Sequence, residues 1–140
     1  MGAVSVLLVV HLLLVGAYAG FQWTVQVLVY RQFELVPPSV FTAYEAAHQR
    51  RVSLVVGPLF AGQAVTAAGL LFTGAGALRF VSAALLAAIL VLTGLFAVPL
   101  HRRLSDGFDP VAYRSLLRVD LLRAVAATGN AGVAVAMVLH

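Results

Sequence analysis

The sequence predicts an all-α protein, a bundle of four transmembrane helices with both termini on the non-cytoplasmic side, and three observations predict it. Hydrophobic residues make up 62% of the chain and the mean hydropathy is +1.01, well beyond a soluble globular composition. The apolar residues fall into four runs, each near or above the ~20 residues that cross a hydrocarbon core. All nine basic residues are arginine. Arg31, Arg50, Arg51, Arg102, Arg103, Arg114, Arg118 and Arg123 gather at one end of such a bundle, against Arg79 at the other. By the positive-inside rule the arginine-rich end is cytoplasmic.

At 140 residues the chain reads as one membrane domain, 1–140. Its formal charge of +4 reports topology, because no basic patch carries the interleaved aromatics of a nucleic-acid surface. Cysteine is absent, which removes disulfides, thiolate metal ligands and a cysteine nucleophile together. The first apolar run is much longer than a signal-peptide core and has no basic residue before it, so it is expected to be a retained span. The expected location is a multi-pass position in a bacterial cytoplasmic membrane.

The first span covers about 3–30. Around a helix, His11, Tyr18 and Gln22 share a narrow stripe with Gln26 at its edge, which points them inward. A loop over 31–40 carries Pro37 and Pro38, and Ser39 is the expected N-cap of the next helix. The second span, about 41–73, opens with F-T-A-Y-E-A-A-H-Q-R-R-V and continues its polar stripe through Gln63 and Thr66. Pro58 is expected to kink it. A nearly uncharged turn over 73–77 leads to the third span, about 79–101. That span carries little but Ser82 and Thr93 and is expected to be packing surface. The segment S-D-G-F-D-P is ordinary turn chemistry. The fourth span, about 111–139, carries Asp120, Arg123 and Asn130. A hydrogen bond between Asn130 and His11 is expected from their similar depth. Small residues at Gly57, Ala61, Ala64 and Ala68, and at Ala124, Ala127 and Ala131, permit close helix approach within the chain or in a homo-oligomer.

The chemistry gathers at the arginine-rich end. Glu45 and His48 are three apart and share one helix face, and the topology brings Gln22, Gln26, Tyr30, Tyr44, His101, Asp120 and Arg123 to the same half. Each charge inside a span costs about 2.5 to 3.5 kcal/mol at the bilayer centre, so such groups persist when paired or useful. Three arrangements compete. The polar residues could be an interfacial helix start, with Glu45 paired to Arg50, Arg51 or Arg102 and Asp120 paired structurally to Arg123 at the membrane edge. They could hold a mononuclear iron, copper or zinc through Glu45, His48 and His101 or Asp120, although the Glu-x-x-His motif occurs once and a di-iron bundle needs it twice. They could also perform acid/base catalysis without a cofactor, since an apolar pocket disfavours the charged forms of glutamate and histidine. No phosphate loop, dinucleotide fingerprint, nucleophile elbow or zinc-protease motif is present.

The runs F-Q-W-T-V-Q-V-L-V-Y, V-P-P-S-V-F-T-A-Y-E-A-A-H-Q-R-R-V, P-L-H-R-R-L-S-D-G-F-D-P and L-R-V-D-L-L-R-A resemble the anthrone oxygenase-like family of small four-helix membrane proteins. That resemblance implies oxidation of a polycyclic aromatic, polyketide-like substrate by molecular oxygen. It carries Gln26, Tyr44, His48, Asp120 and Arg123 over as functional positions. Together the two lines of reasoning give an expected membrane oxygenase or other acid/base enzyme, such as a cyclase or isomerase, acting on a lipophilic small molecule. Its expected catalytic residues are Glu45, His48, Arg123, Asp120 and Tyr44, with Gln22, Gln26, Trp23, Gln63 and Tyr30 binding substrate. The alternative is a small transporter or accessory membrane subunit, in which the polar stripe is a proton or solute path.

Overall fold

The computed structural model describes residues 2–74 and 76–139; Ala75, within the predicted turn, lies outside the described residues, as do Met1 and His140. Four helices account for most of it: α1 (Ala3–Leu35), α2 (Pro38–Thr73), α3 (Leu78–Leu104) and α4 (Pro110–Leu139), each long and apolar enough to cross a membrane. Val4, Leu70, Leu78 and Met137 come together at one end of the bundle, and Tyr30, Glu45 and His101 meet at the other. The helices therefore run alternately up and down. α1 packs broadly on α2 and α4, and α3 on α4, whereas α2 and α3 meet along a thinner seam.

The expected boundaries shift most after the first span. α1 is α-helical to Thr24, widens into a π-turn over Val25–Val29 and tightens into a 3-10 segment over Tyr30–Leu35. The loop predicted over 31–40 thus shrinks to Val36 and Pro37. Pro37 is held extended by the proline that follows it, which stops α1, and the fixed φ of Pro38 starts α2. Ser39 consequently lies inside the first turn and does not cap it. Pro58 sits within α2 without ending it. α3 is interrupted by a second π-turn over Leu92–Ala97.

The turn into α4 uses Gly107 at φ +139, a conformation that disfavours a side chain. Asp109 caps the helix: its Oδ1 accepts from the backbone N–H of Val111 at 2.8 Å and of Ala112 at 3.1 Å, with Pro110 at the first helical position. Oδ2 accepts from Arg103 at 2.6 Å. The backbone N–H groups of Ala112 and Val111, helped by Arg103, hold the Asp109 carboxyl below the usual carboxylate range.

The bundle is apolar outside and polar within. Leu13, Leu54, Val65, Phe72 and Leu95 are among its most exposed side chains, while His11, Gln22, Glu45, Gln63, Asp120 and Asn130 are almost fully enclosed. In water that arrangement would be costly; in hydrocarbon it is the favourable one. The close approach of α1 and α2 depends on Gly62 and Gly69, where an added Cβ would stand 2.9 Å from Leu14 and 3.0 Å from Leu7. Gly57, Ala61, Ala64 and Ala68 instead face outward, whereas Ala124 and Ala127 are buried against neighbouring helices.

Candidate functional site

A chain of partly buried hydrogen bonds crosses three helices at the end where Tyr30, Glu45 and His101 meet. Glu45 is fully enclosed on α2, and its Oε1 accepts from His101 Nδ1 at 2.5 Å. That contact fixes the imidazole tautomer, so in the neutral ring Nε2 accepts from the Tyr30 hydroxyl at 2.9 Å. Gln49, one turn beyond Glu45, donates to Glu45 Oε1 at 3.1 Å and to the Ser105 hydroxyl at 2.8 Å, tying α2 to the end of α3. Glu45 therefore pairs with a histidine, and the expected partners Arg50, Arg51 and Arg102 stay exposed.

His48 lies one turn from Glu45, 8% exposed, with its ring stacked on His101 at 5.5 Å and set edge-on to Phe33 at 5.0 Å. Its Nε2 and the Glu45 Oε2 have no hydrogen-bond partner among the described residues. Phe33 is the hub of the surrounding aromatic shell, touching Tyr30, Phe41, Tyr44 and Tyr113. Tyr44 belongs to this shell and is half-buried. The Tyr113 hydroxyl donates to the Tyr30 carbonyl at 3.0 Å, tying α4 to the 3-10 end of α1.

A second network adjoins the first. Asp120 on α4 is fully enclosed; its Oδ1 accepts from Gln22 at 2.5 Å and from Arg123 at 3.3 Å. With the Gln26 amide oriented to satisfy its neighbours, its nitrogen donates to Asp120 Oδ2 at 2.9 Å. Arg123 also donates to the Tyr18 hydroxyl at 3.3 Å. The predicted Asp120–Arg123 pair forms and is buried within the bundle, with two glutamines sharing the carboxylate.

Both networks border one cavity of about 130 Å³, to which Gln22, Tyr30, His48, His101 and Arg123 all contribute. Val25, Thr93 and Ala97 from the two π-turns complete its wall. A π-turn adds a residue to the helical circuit and pushes the backbone aside, and such turns recur at functional sites. Glu45 and Asp120 do not line the cavity; they hold residues that do.

The other expected site residues are more scattered. Trp23 faces outward and donates to Thr128 at 2.8 Å, and Gln63 is buried but donates to its own helix at Leu59. The expected metal set, Glu45, His48 and His101, is brought together, yet both ring nitrogens of His101 already make hydrogen bonds. Among the described residues no three His, Cys, Asp or Glu side chains are grouped to hold a metal. A metal on these three residues fits only if His101 gives up Glu45 or Tyr30. Gln49, Ser105 and Thr93 went unnoticed as site residues. Gln49 stands at i+4 from Glu45, which was a usable signal; for the other two the sequence offered none.

Toward the opposite end His11 Nδ1 meets the Thr66 hydroxyl at 2.8 Å and Nε2 meets the Ser82 hydroxyl at 2.9 Å. Ser82 donates on to Asn130 Oδ1 at 2.7 Å. The expected contact of His11 with Asn130 is thus relayed through Ser82, and α3 supplies a polar link as well as packing surface.

Fold and site define an inside-out four-helix bundle with a mostly apolar cavity, bordered by a few polar side chains, near one end. Neither the family models, the curated proteins nor the solved structures include a match to this chain.

Proposed function

We propose that this protein is a membrane-embedded enzyme that moves a proton on a lipophilic small molecule held in the cavity, with the arginine-rich end cytoplasmic. The observation that carries the reading is the buried series Glu45, His101, Tyr30, which reaches a cavity also bordered by His48 and Arg123. A carboxylate that fixes a histidine tautomer, and a histidine that accepts from a hydroxyl, form the wiring by which enzymes make a weak base effective. Glu45 is the positioning residue. His48, whose Nε2 is unpartnered, and the His101–Tyr30 pair are the groups that exchange a proton with substrate. Arg123 donates to the oxygen on which charge develops as a C–H or O–H proton leaves. Asp120, Gln22 and Gln26 balance and aim that guanidinium. The resemblance to anthrone oxygenase-like proteins makes molecular oxygen the co-substrate that meets the resulting carbanion.

Deuterium uptake at the acidic C–H of lipophilic aromatic ketones of one to three rings tests the proton step itself, whatever follows it. In detergent-solubilised protein the wild type is expected to exceed both the protein-free blank and His101→Asn by at least about 100-fold, the lower range for positioned acid/base groups. Exchange at the blank rate for every ketone would defeat the proposal and leave the transporter or accessory-subunit reading. Elemental analysis of the same samples reports whether iron, copper or zinc accompanies the activity.

A further inference from the structure

Taking the cavity as the reaction site, we infer that its ligand is the one-ring, oxygen-bearing headgroup of a membrane lipid, of the phenol, quinol or quinone type, whose apolar tail leaves between α2 and α3. Size gives the first argument. At about 130 Å³ the cavity matches the ~150 Å³ that accepts a benzene ring, whereas three fused rings need far more space. A polycyclic substrate of the kind the family resemblance implies would have to extend beyond this volume.

Polarity gives the second. Gln22, His48 and Arg123 are 0%, 8% and 6% exposed, all border the cavity, and each keeps one buried polar atom without a partner: Oε1, Nε2 and Nε respectively. Gln22 Oε1 only accepts, Arg123 only donates, and His48 Nε2 does either. These atoms are themselves enclosed, but the residues that carry them make the cavity wall partly polar, which suits a ring bearing hydroxyl or carbonyl oxygen better than a hydrocarbon. Because Asp120 already balances the charge of Arg123, a neutral headgroup suits the site better than an anion.

The route gives the third. Ser53 on α2 and Val98 on α3 border the cavity and are also exposed, and they flank the thin seam between these helices. Around the seam the outer surface is apolar, with Leu54, Val55 and Leu95 exposed. A head in the cavity therefore places an attached chain in lipid, with no need for an aqueous path.

The test compares saturable binding of pentylhydroquinone, pentylbenzene and anthrone to the full chain in detergent, with protein-free micelles as the blank. Pentylhydroquinone is expected to bind one per chain, and pentylbenzene and anthrone at least tenfold more weakly. Val98→Trp, an exposed position at the mouth, is expected to weaken pentylhydroquinone at least tenfold, while Leu13→Trp, exposed elsewhere, leaves it unchanged. The size and oxygen comparison needs no variant, so it stands even if Val98→Trp does not fold. Equal binding of pentylbenzene or anthrone, or a folded Val98→Trp with wild-type affinity, overturns the inference. His101-dependent exchange on anthrone without one-ring binding would sink this assignment and keep the enzyme. One-ring binding without proton exchange on any ketone would sink the enzyme and keep the headgroup site.

Discussion

The bundle contains two buried histidine networks, and they differ in kind. His11, Thr66, Ser82 and Asn130 join four helices without a carboxylate, with both His11 nitrogens engaged and none of the four among the cavity-lining residues. Glu45, His101 and Tyr30 join three helices, but they include a carboxylate, adjoin a second carboxylate bound to Arg123, and reach a cavity bordered by His48, Gln22 and Arg123. The first network has the form of a fastener between helices. The second borders a cavity, which a fastener does not need. Unpartnered atoms do not separate the two, since Asn130 Nδ2 lacks a partner among the described residues as well; the lesson is that a buried histidine identifies a candidate site through the cavity and the carboxylates beside it, more than through its burial.

Four comparisons of variants break or sharpen that contrast. The largest effect is expected on turnover: His101→Asn and Glu45→Gln should each lower proton exchange by about 10²- to 10⁴-fold, the range for positioned acid/base groups. His11→Leu should leave exchange within about twofold. Similar losses from both histidines would erase the distinction between the networks. Next comes stability. Removing the guanidinium in Arg123→Met strands the enclosed Asp120 carboxylate and should cost about 3–5 kcal/mol, and the double variant with Asp120→Asn should recover much of that loss. Thermal unfolding in detergent would decide it, and equal destabilisation of single and double variants would show that the pair is not coupled.

A smaller loss is expected from Ser82→Ala, which severs the link from His11 to Asn130; intramembrane hydrogen bonds average about 0.6 kcal/mol, with a maximum near 1.7. A loss well above that range would mean the fastener also organises the cavity. The smallest concerns the α4 cap. Its folded-state pKa is depressed, so the stabilisation from the Asp109 carboxylate is complete above the unfolded value of ~3.9 and is lost as pH falls through the lower folded value. The melting-temperature gap between wild type and Asp109→Ala should thus be constant from about pH 5 to 7 and narrow below about pH 4; a pH-independent gap would contradict the charged cap.

Orientation is open to the same kind of test, because the chain has no native cysteine. Single cysteines at the exposed Arg51 and at Arg79 should react with a membrane-impermeant thiol reagent from opposite faces of intact cells, Arg79→Cys from outside. The reverse pattern would put the candidate site in the outer half of the membrane.

Much of the fold was legible in the sequence. Four apolar runs broken by proline, glycine and arginine fixed the number of helices, because backbone groups in hydrocarbon must satisfy one another locally and few structures do so. The inward stripes were legible as well: His11, Tyr18 and Gln22 on α1, and Glu45, His48, Gln63 and Thr66 on α2, repeat at helical spacing and are buried. What the tertiary structure decided was partnership. Spacing places Glu45 and His48 on one face, but Glu45 is held by His101, fifty-six residues away, and by Gln49. The π-turns were not read from the sequence either: Val25–Val29 contains no proline or glycine, and Gly94 inside Leu92–Ala97 with Pro99 just after it does not by itself specify the widened circuit that bounds the cavity with Ala97. The physical reason is the range of the forces involved: helix formation and solvation act residue by residue along the chain and leave a periodic trace, whereas which polar atoms meet, and which remain without a partner, depends on how four helices rotate and slide against one another.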